Sequence, residues 1–203
     1  MSMISRRTAL CLTCAAALAA GAPALAQDQR VLSEVSKYLN QLYAIKGRFT
    51  QINADGSRSA GDYYLMRPGR IRFEYDGGQS MVISSGTNVA IFDAKATTRV
   101  QRYPLSQTPL RFLLADDIDL TRGNVAVGTG SQGGYTTVEL RDPKNPGDGS
   151  MILTLRNQPP ALTEWTVTDA SGSRTRVILE TLEYDRSLSP QLFNIEAEAR
   201  RWN

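Results

Sequence analysis

The chain of 203 residues carries 23 Lys and Arg against 20 Asp and Glu, two cysteines and no histidine. It therefore lacks the commonest general base, the usual zinc ligand and every nucleophile system that depends on an imidazole. Its charges of both signs are interspersed, whereas nucleic-acid-binding proteins concentrate Lys and Arg on one face. No phosphate-binding loop of the pattern G-x-x-x-x-G-K-[ST] occurs. We expect a protein that is not an enzyme and that needs no cofactor, metal or nucleic acid.

Residues 1–26 have the pattern of a cleavable signal peptide. A basic start with Arg6 and Arg7 is followed by a short apolar run and by Ala24-Leu25-Ala26, a small-x-small cleavage site. The Ser-Arg-Arg sequence resembles a twin-arginine signal, but Ala9 occupies the place of a bulky aromatic residue, so both export routes stay open. We expect the mature protein, residues 27–203, to be a single soluble periplasmic domain.

Both cysteines, Cys11 and Cys14, lie inside the predicted signal peptide. Neither is preceded by the small residue that lipid modification requires, because Leu10 and Thr13 stand there. The mature chain is therefore predicted to have neither a disulfide nor a lipid anchor of its own.

One amphipathic helix is predicted from about Asp28 to Ile45, ended by Gly47. Its apolar residues recur at steps of three and four, with Lys37 and Gln41 on the solvent side. They are Val31, Leu32, Val35, Leu39, Leu42 and Tyr43.

The apolar period then changes to two, which indicates strands. Turn-forming Gly, Pro and Asp residues separate short runs, a spacing typical of an antiparallel meander. The predicted strands are 62–67, 70–75, 80–84, 89–93, 98–103, 124–127, 135–141, 151–156, 162–168 and 174–182.

Two short helical segments complete the pattern. Pro109–Leu114 is predicted as a short helix, and Ser189–Phe193 as one helical turn before a last short strand. Ten or eleven strands are more than a flat sheet usually carries. We therefore predict a mainly β fold with some α, in which a strongly curved antiparallel sheet forms an unclosed β-barrel plugged by the N-terminal helix and short lid helices.

Several motifs occur in an order that resembles the periplasmic outer-membrane lipoprotein carrier family (LolA-like proteins), over nearly the whole mature chain. The motifs are Gly47-x-Phe49-x-Gln51, Arg67-Pro68-Gly69-Arg70-Ile71-Arg72-Phe73, Val82-Ile83-Ser84-Ser85-Gly86, Ile91-Phe92-Asp93, Thr108-Pro109-Leu110 with Leu113-Leu114, Val167-Thr168-Asp169-x-x-Gly172-x-x-Thr175 and Leu192-Phe193. The chain departs from relatives at Ile71 and Phe73, where Phe and Trp are frequent, and, because Asn203 follows Phe193 so closely, we expect it to lack the C-terminal extension of some relatives.

The resemblance implies a monomeric carrier that binds the acyl chains of lipoproteins in a hydrophobic cavity. It implies an inner-membrane lipoprotein-releasing ABC transporter as donor, and an outer-membrane acceptor or the outer membrane itself as destination. A related periplasmic module that binds or senses another lipid stays open, because a fold does not fix a function. A carboxylate-based hydrolase is the remaining alternative, although Asp116, Asp117 and Asp119 fit a solvated loop better than a catalytic pair.

The resemblance assigns Arg67 to the cavity rim, where its guanidinium would bond lid carbonyls and keep the empty cavity closed. From the residues alone, Arg67 is better interpreted as a solvent-facing arginine at a strand end, and only the resemblance favours the rim. The predicted lining residues equally fit ordinary core packing. They are Ile71, Phe73, Tyr75, Met81, Ile83, Val89, Ile91, Leu110, Leu113 and Leu114.

Overall fold

The computed structural model describes the backbone from Ala22 to Trp202 and the side chains from Asp28 to Trp202. The predicted signal peptide lies largely outside the described residues. Within them the helices are α1 (Ala22–Gln41), α2 (Arg111–Leu114) and α3 (Ile195–Trp202), with 3-10 turns at Leu105–Gln107, Pro146–Asp148 and Pro190–Phe193. The strands are β1 (Ala44–Ile52), β2 (Arg58–Met66), β3 (Arg70–Tyr75), β4 (Ser80–Ser85), β5 (Asn88–Asp93), β6 (Val100–Pro104), β7 (Ala126–Gln132), β8 (Tyr135–Arg141), β9 (Ser150–Asn157), β10 (Pro160–Thr168), β11 (Arg174–Leu179) and β12 (Glu183–Tyr184).

All twelve strands belong to one antiparallel sheet, in the order β6-β5-β4-β3-β2-β1-β11-β10-β9-β8-β7, with β12 paired to β1. Within residues 22–202 the edge strands β6 and β7 do not pair with each other, so the sheet is not closed. The chain passes from one edge to the other through residues 105–125, which include α2. The prediction of a mainly β, unclosed antiparallel fold is confirmed.

The sheet is strongly curved. Phe73 on β3 and Trp165 on β10 are separated by four strand spacings, which is roughly 19 Å along a flat sheet. Their ring centroids are nevertheless 6.2 Å apart. We call the face that carries these two residues the inner face, and the opposite one the outer face.

Helix α1 packs against the inner face through Leu32, Val35 and Leu39, while Lys37 and Gln41 are exposed as predicted. Its predicted end was wrong, because the helix stops at Gln41 rather than near Ile45. In the sequence, the spacing of three or four residues between apolar positions continues to Leu42 and Ile45. The pattern therefore does not indicate that the chain changes there from a helix to a strand.

Strand β1, which was missing from the prediction, pairs with β2 along its whole length. Gly47 therefore lies inside a strand instead of ending a helix. A Cβ atom at Gly47 would lie 2.0 Å from the carbonyl oxygen of Thr181, where the chain passes from β11 to β12. This close approach of two backbones accounts for the glycine.

The C-terminal segment covers part of the outer face. It ends in helix α3, and the predicted last short strand is wrong. The Asn194 side chain accepts a hydrogen bond of 2.9 Å from the Ala197 N–H, and the helix has acidic residues in its first turn and basic ones in its last. Apolar residues of this segment and the outer face form a second cluster: Ala44, Met66, Ile83, Ala90, Phe92, Phe193, Ile195 and Ala199.

Candidate functional site

An aromatic cluster lines the inner face. The ring of Phe49 meets Phe73 at a centroid distance of 5.0 Å and Tyr75 at 5.3 Å, both close to perpendicular. Edge-to-face contacts of this kind are the preferred arrangement of aromatic pairs. Trp165, on the other side of the curved sheet, contacts Phe73 and is 1% exposed. Aromatic side chains from distant strands thus form one apolar surface.

Gly61 makes room for this cluster. It is the cross-strand partner of both Phe49 and Tyr75, and the two rings meet across it. A Cβ atom at Gly61 would lie 2.0 Å from the carbonyl oxygen of Glu74. A larger residue would therefore force β2 and β3 apart at the centre of the cluster.

Helices α1 and α2 and the loop after α2 close over the aromatic surface. They contribute buried apolar residues, so the space between helices and sheet is filled with side chains in this arrangement. The residues are Leu32, Val35 and Leu39 of α1, Leu113 and Leu114 of α2, and Ile118 and Leu120 of the loop, together with Leu42 just after α1.

Arg67 lies at the turn between β2 and β3 and is only 3% exposed, so the alternative of a solvent-facing arginine is wrong. Its Nη2 donates to the side-chain oxygen of Asn40 at 3.0 Å and to the Asn40 carbonyl at 3.3 Å. Nε and Nη1 find no acceptor among the described residues. Burial lowers the pKa of Arg67, and the charges of Asp116 and Asp117 oppose that shift. The guanidinium stays charged and is incompletely hydrogen-bonded.

The partner of Arg67 is thus at the C-terminal end of α1, whereas the contact with α2 is made nearby by the backbone. The Gly69 N–H donates to the Leu114 carbonyl at 2.8 Å. The bonds that join α1 and α2 to the turn between β2 and β3 therefore come from two different residues.

Three polar residues of α1, which sequence reasoning missed, also fix the helix. Asn40 bonds both the N–H and the carbonyl of Ile118, and Ser36 Oγ accepts from the Leu120 N–H at 2.9 Å. The Tyr38 hydroxyl accepts from the Leu162 N–H at 2.8 Å. The available signal was the position of Ser36 and Asn40, four residues apart, within the apolar stripe of the helix.

The predicted lining residues divide between the two faces. On the inner side, in or against the main core, are Ile71, Phe73, Tyr75, Val89, Leu110, Leu113 and Leu114. Met81 and Ile83 lie on the outer face, because their cross-strand partners are Glu74 and Arg72, so grouping them with Ile71 and Phe73 was wrong. Ile91 pairs with Val82 on the inner side and is 38% exposed.

A cleft of about 650 Å³ lies at the end of β1–β5 where the inner face reaches solvent. The inner-face residues Tyr75, Val82 and Ile91 line it, together with polar residues that include Gln51, Asn53, Arg58, Asp93 and Lys95. The Tyr75 hydroxyl donates to Gln51 Oε1 at 2.7 Å, and burial raises the pKa of Tyr75 to about 12. The cleft therefore joins an apolar floor to a polar rim.

Among the described side chains, no three Asp, Glu, Cys or His residues are close enough to hold a metal ion. Of the helices within residues 22–202, none has both the length and the apolar character needed to span a membrane.

Residues 40–196 match the family model described as outer membrane lipoprotein carrier protein LolA. The chain belongs to this family. The resemblance inferred from the motifs is confirmed, and the family is one of carriers.

Proteins with the name outer-membrane lipoprotein carrier protein are similar to this chain along most of its length. That of Pseudomonas aeruginosa is 28% identical over 191 residues, covering 89% of this chain and 91% of the relative. That of Halorhodospira halophila is 27% identical over 200 residues, covering 94% and 91%.

Solved structures share the fold. A domain from Vibrio parahaemolyticus, described as an outer membrane lipoprotein-sorting protein domain, has a TM-score of 0.51 at 13% identity and covers 85% of this chain and 98% of that domain. A DUF1329 family protein from Desulfovibrio piger has a TM-score of 0.50 at 13% identity, covering 84% and 98%. At this identity the likeness concerns the fold alone.

Proposed function

We propose that this protein is a periplasmic carrier that binds the acyl chains of lipoproteins between its inner face and its helices, and ferries lipoproteins from the inner to the outer membrane. An acyl chain loses roughly 0.8 kcal/mol for each CH₂ left in water, so a carrier must enclose it. The aromatic cluster of Phe49, Phe73, Tyr75 and Trp165 offers the apolar surface for this purpose.

The observation that carries the proposal is the gap between β6 and β7. Residues 105–125 connect these two edge strands and include α2, and they form no strand that pairs with either edge. Moving them away breaks separate contacts rather than a ladder. These are the backbone bonds of Gly69 to Leu114 and of Leu105 to Thr87, the bonds of Asn40 to Ile118 and of Ser36 to Leu120, and the ion pairs of Arg111 with Asp142 and Asp148. The interior can thus open without dismantling the sheet, and the bound acyl chains replace the contacts that Leu113 and Leu114 lose.

Release requires that the empty state be favourable. Arg67 favours that state by bonding Asn40 while α1 is docked, and we propose that ligand uptake also displaces the end of α1, which breaks these bonds. A ligand moves only toward states that bind it more tightly, so the lipoprotein passes from donor to carrier to acceptor along a gradient of affinity. The inner-membrane releasing transporter supplies the energy, and the outer membrane or an acceptor there takes the cargo.

Residues 1–26 direct export to the periplasm and are removed, so the carrier itself starts at Gln27. N-terminal sequencing of the periplasmic protein checks this assignment. A mature chain that begins at an acylated Cys11 or Cys14 would contradict it.

The decisive experiment depletes the protein and follows newly made lipoproteins by membrane fractionation. We expect them to accumulate at the inner membrane, and the purified carrier to be recovered in a soluble complex with a lipoprotein. Native mass spectrometry of the complex identifies the ligand. Normal lipoprotein sorting after depletion, together with a bound lipid of another kind, would replace the proposal with a different lipid-binding role.

A further inference from the structure

Asn40 connects three separate parts of the chain through one side chain. It stands in the last turn of α1, and its Oδ1 accepts from Arg67 Nη2 and from the Ile118 N–H, both at 3.0 Å. Its Nδ2 donates to the Ile118 carbonyl at 2.9 Å. The amide therefore bonds the backbone of Ile118 through both its N–H and its carbonyl, as a neighbouring strand would, and also bonds the guanidinium at the end of β2.

We propose that Asn40 is the positioning residue of the closing mechanism: its amide holds the Arg67 guanidinium and the loop after α2 against α1 in the empty state. This inference rests on the proposed function and adds a residue to it. Among the described residues the Arg67 side chain hydrogen-bonds α1 only at Asn40, and the hydrogen bonds that link the loop to Arg67 run through the same amide, while the charges of Asp116 and Asp117 in that loop add an attraction to the guanidinium.

The bonding of Arg67 explains why this amide matters. Its Nε and Nη1 have no acceptor among the described residues, so without the Asn40 side chain the buried charge would keep only the 3.3 Å bond to the Asn40 carbonyl. A buried charge without partners is costly, and here that cost falls on the closed state alone. Loss of the amide should therefore shift the equilibrium toward the open state, which binds ligand.

The direction in which ligand affinity changes distinguishes a positioning role of Asn40 from a merely structural one. We expect Asn40→Ala to bind a long-chain fatty acid carrying an anthroyloxy fluorophore about tenfold more tightly than the unsubstituted protein, equivalent to ~1.4 kcal/mol. A loss of packing alone would lower thermal stability without raising affinity. Gln41→Ala is the matched control, because Gln41 is the next residue, is exposed and makes no side-chain bond within the described part of the chain.

Equal or weaker probe affinity in a folded Asn40→Ala protein, or an equal gain in Gln41→Ala, would overturn the inference alone. An unsubstituted protein that binds no probe would overturn the proposed function together with it.

A second measurement needs no substitution. Amide hydrogen exchange of the unsubstituted protein should show the Ile118 N–H at least tenfold less protected with saturating probe than without it. The Val138 N–H, in the core of the sheet, serves as the reference. Unchanged protection of Ile118 in the loaded protein would mean that the loop stays bonded to Asn40 and would overturn the inference.

Discussion

Each face of the sheet has one buried arginine among the described residues, and the two arginines differ in how many of their nitrogens are hydrogen-bonded. Arg72 points to the outer face and is bonded through all three nitrogens, to Glu74, to the Leu192 carbonyl and to Glu198. Arg67 lies on the inner side, and only its Nη2 donates hydrogen bonds to described residues, both of them to Asn40. Both are nearly inaccessible, at 6% and 3% exposure.

This difference indicates which of the segments that cover the sheet is held firmly and which one can move away: the C-terminal segment covers the outer face, and the helices α1 and α2 cover the inner face. Around Arg72, the Glu198 carboxylate and the Leu192 carbonyl tie the C-terminal segment to β3, so separating that segment would leave the buried charges of Arg72 and Glu198 without each other. Around Arg67 the bonds are few, and the charge is already short of acceptors in the closed state. The arginine of the outer face thus holds its covering segment with more polar bonds than Arg67 does, which agrees with the proposal that the inner cover gives way to a ligand.

Arg72→Leu should have the largest effect on stability. It leaves Glu74 and Glu198 facing each other without their buried cation, although Arg201 still pairs with Glu198. We expect the free energy of unfolding in urea to fall by about 3 kcal/mol, with probe affinity unchanged in the folded protein. Arg70→Leu on the same strand is the control. A stable Arg72→Leu protein would remove the distinction between the two arginines.

Arg67→Leu should act on transfer rather than on stability. Two bonds to a charged donor, each worth roughly 1.5–3 kcal/mol, favour the closed empty state. Their loss should slow release of lipoprotein to the acceptor by about a hundredfold while loading continues. Arg67→Lys should be intermediate, because an ammonium cannot reproduce the planar fork. Normal transfer by a folded Arg67→Leu protein would contradict the proposed role.

A pair of glutamate substitutions tests which face receives the ligand. Phe73→Glu places a carboxylate in the aromatic cluster and should weaken probe binding at least tenfold. Met81→Glu, one strand away but on the outer face, should leave binding unchanged. Equal losses in both variants would mean that the faces do not differ in function.

The smallest effect concerns pH and the anchoring of the C-terminal segment. The Ser187 hydroxyl and then the Lys46 ammonium lower the pKa of Asp185 to about 2. Because this lies below the usual value of about 3.9, the carboxylate stabilises the fold above roughly pH 4, and this contribution is lost as the pH falls toward 2. Asp185→Asn should therefore unfold at a slightly lower temperature than the unsubstituted protein at pH 6, and this difference should nearly vanish at pH 2. An equal difference at both pH values would contradict the assignment.

How much of the fold could be predicted depended on local patterning. The bounds of β3 were predicted correctly because Ile71, Phe73 and Tyr75 alternate with charged residues. In β4, apolar residues stand at three consecutive positions and pack on both faces, so the pattern could not tell which face Met81 and Ile83 would take. Gly47 was misread because its cause, the approach of Thr181, lies far away in the chain.

Two other features that were not predicted are nevertheless indicated by the local sequence. Helix α3 is preceded by Asn194 and carries acidic residues early and arginines late, which is typical of a helix. In α1, Ser36 and Asn40 interrupt an apolar stripe, which indicates polar partners across the interface. The incomplete bonding of Arg67, by contrast, depends on the three-dimensional placement of α1 and could not be predicted from sequence.

The most direct test of acyl-chain binding in the interior uses the chain's two tryptophans, which lie on opposite faces. Trp165 is in the inner aromatic cluster, and Trp202 packs on Phe92 at the outer face. A fatty acid brominated within its chain quenches tryptophan fluorescence only near contact. We expect strong saturable quenching in Trp202→Phe, which keeps Trp165, and little in Trp165→Phe. Quenching of Trp202 instead, or of neither tryptophan while the fatty acid is bound, would contradict it.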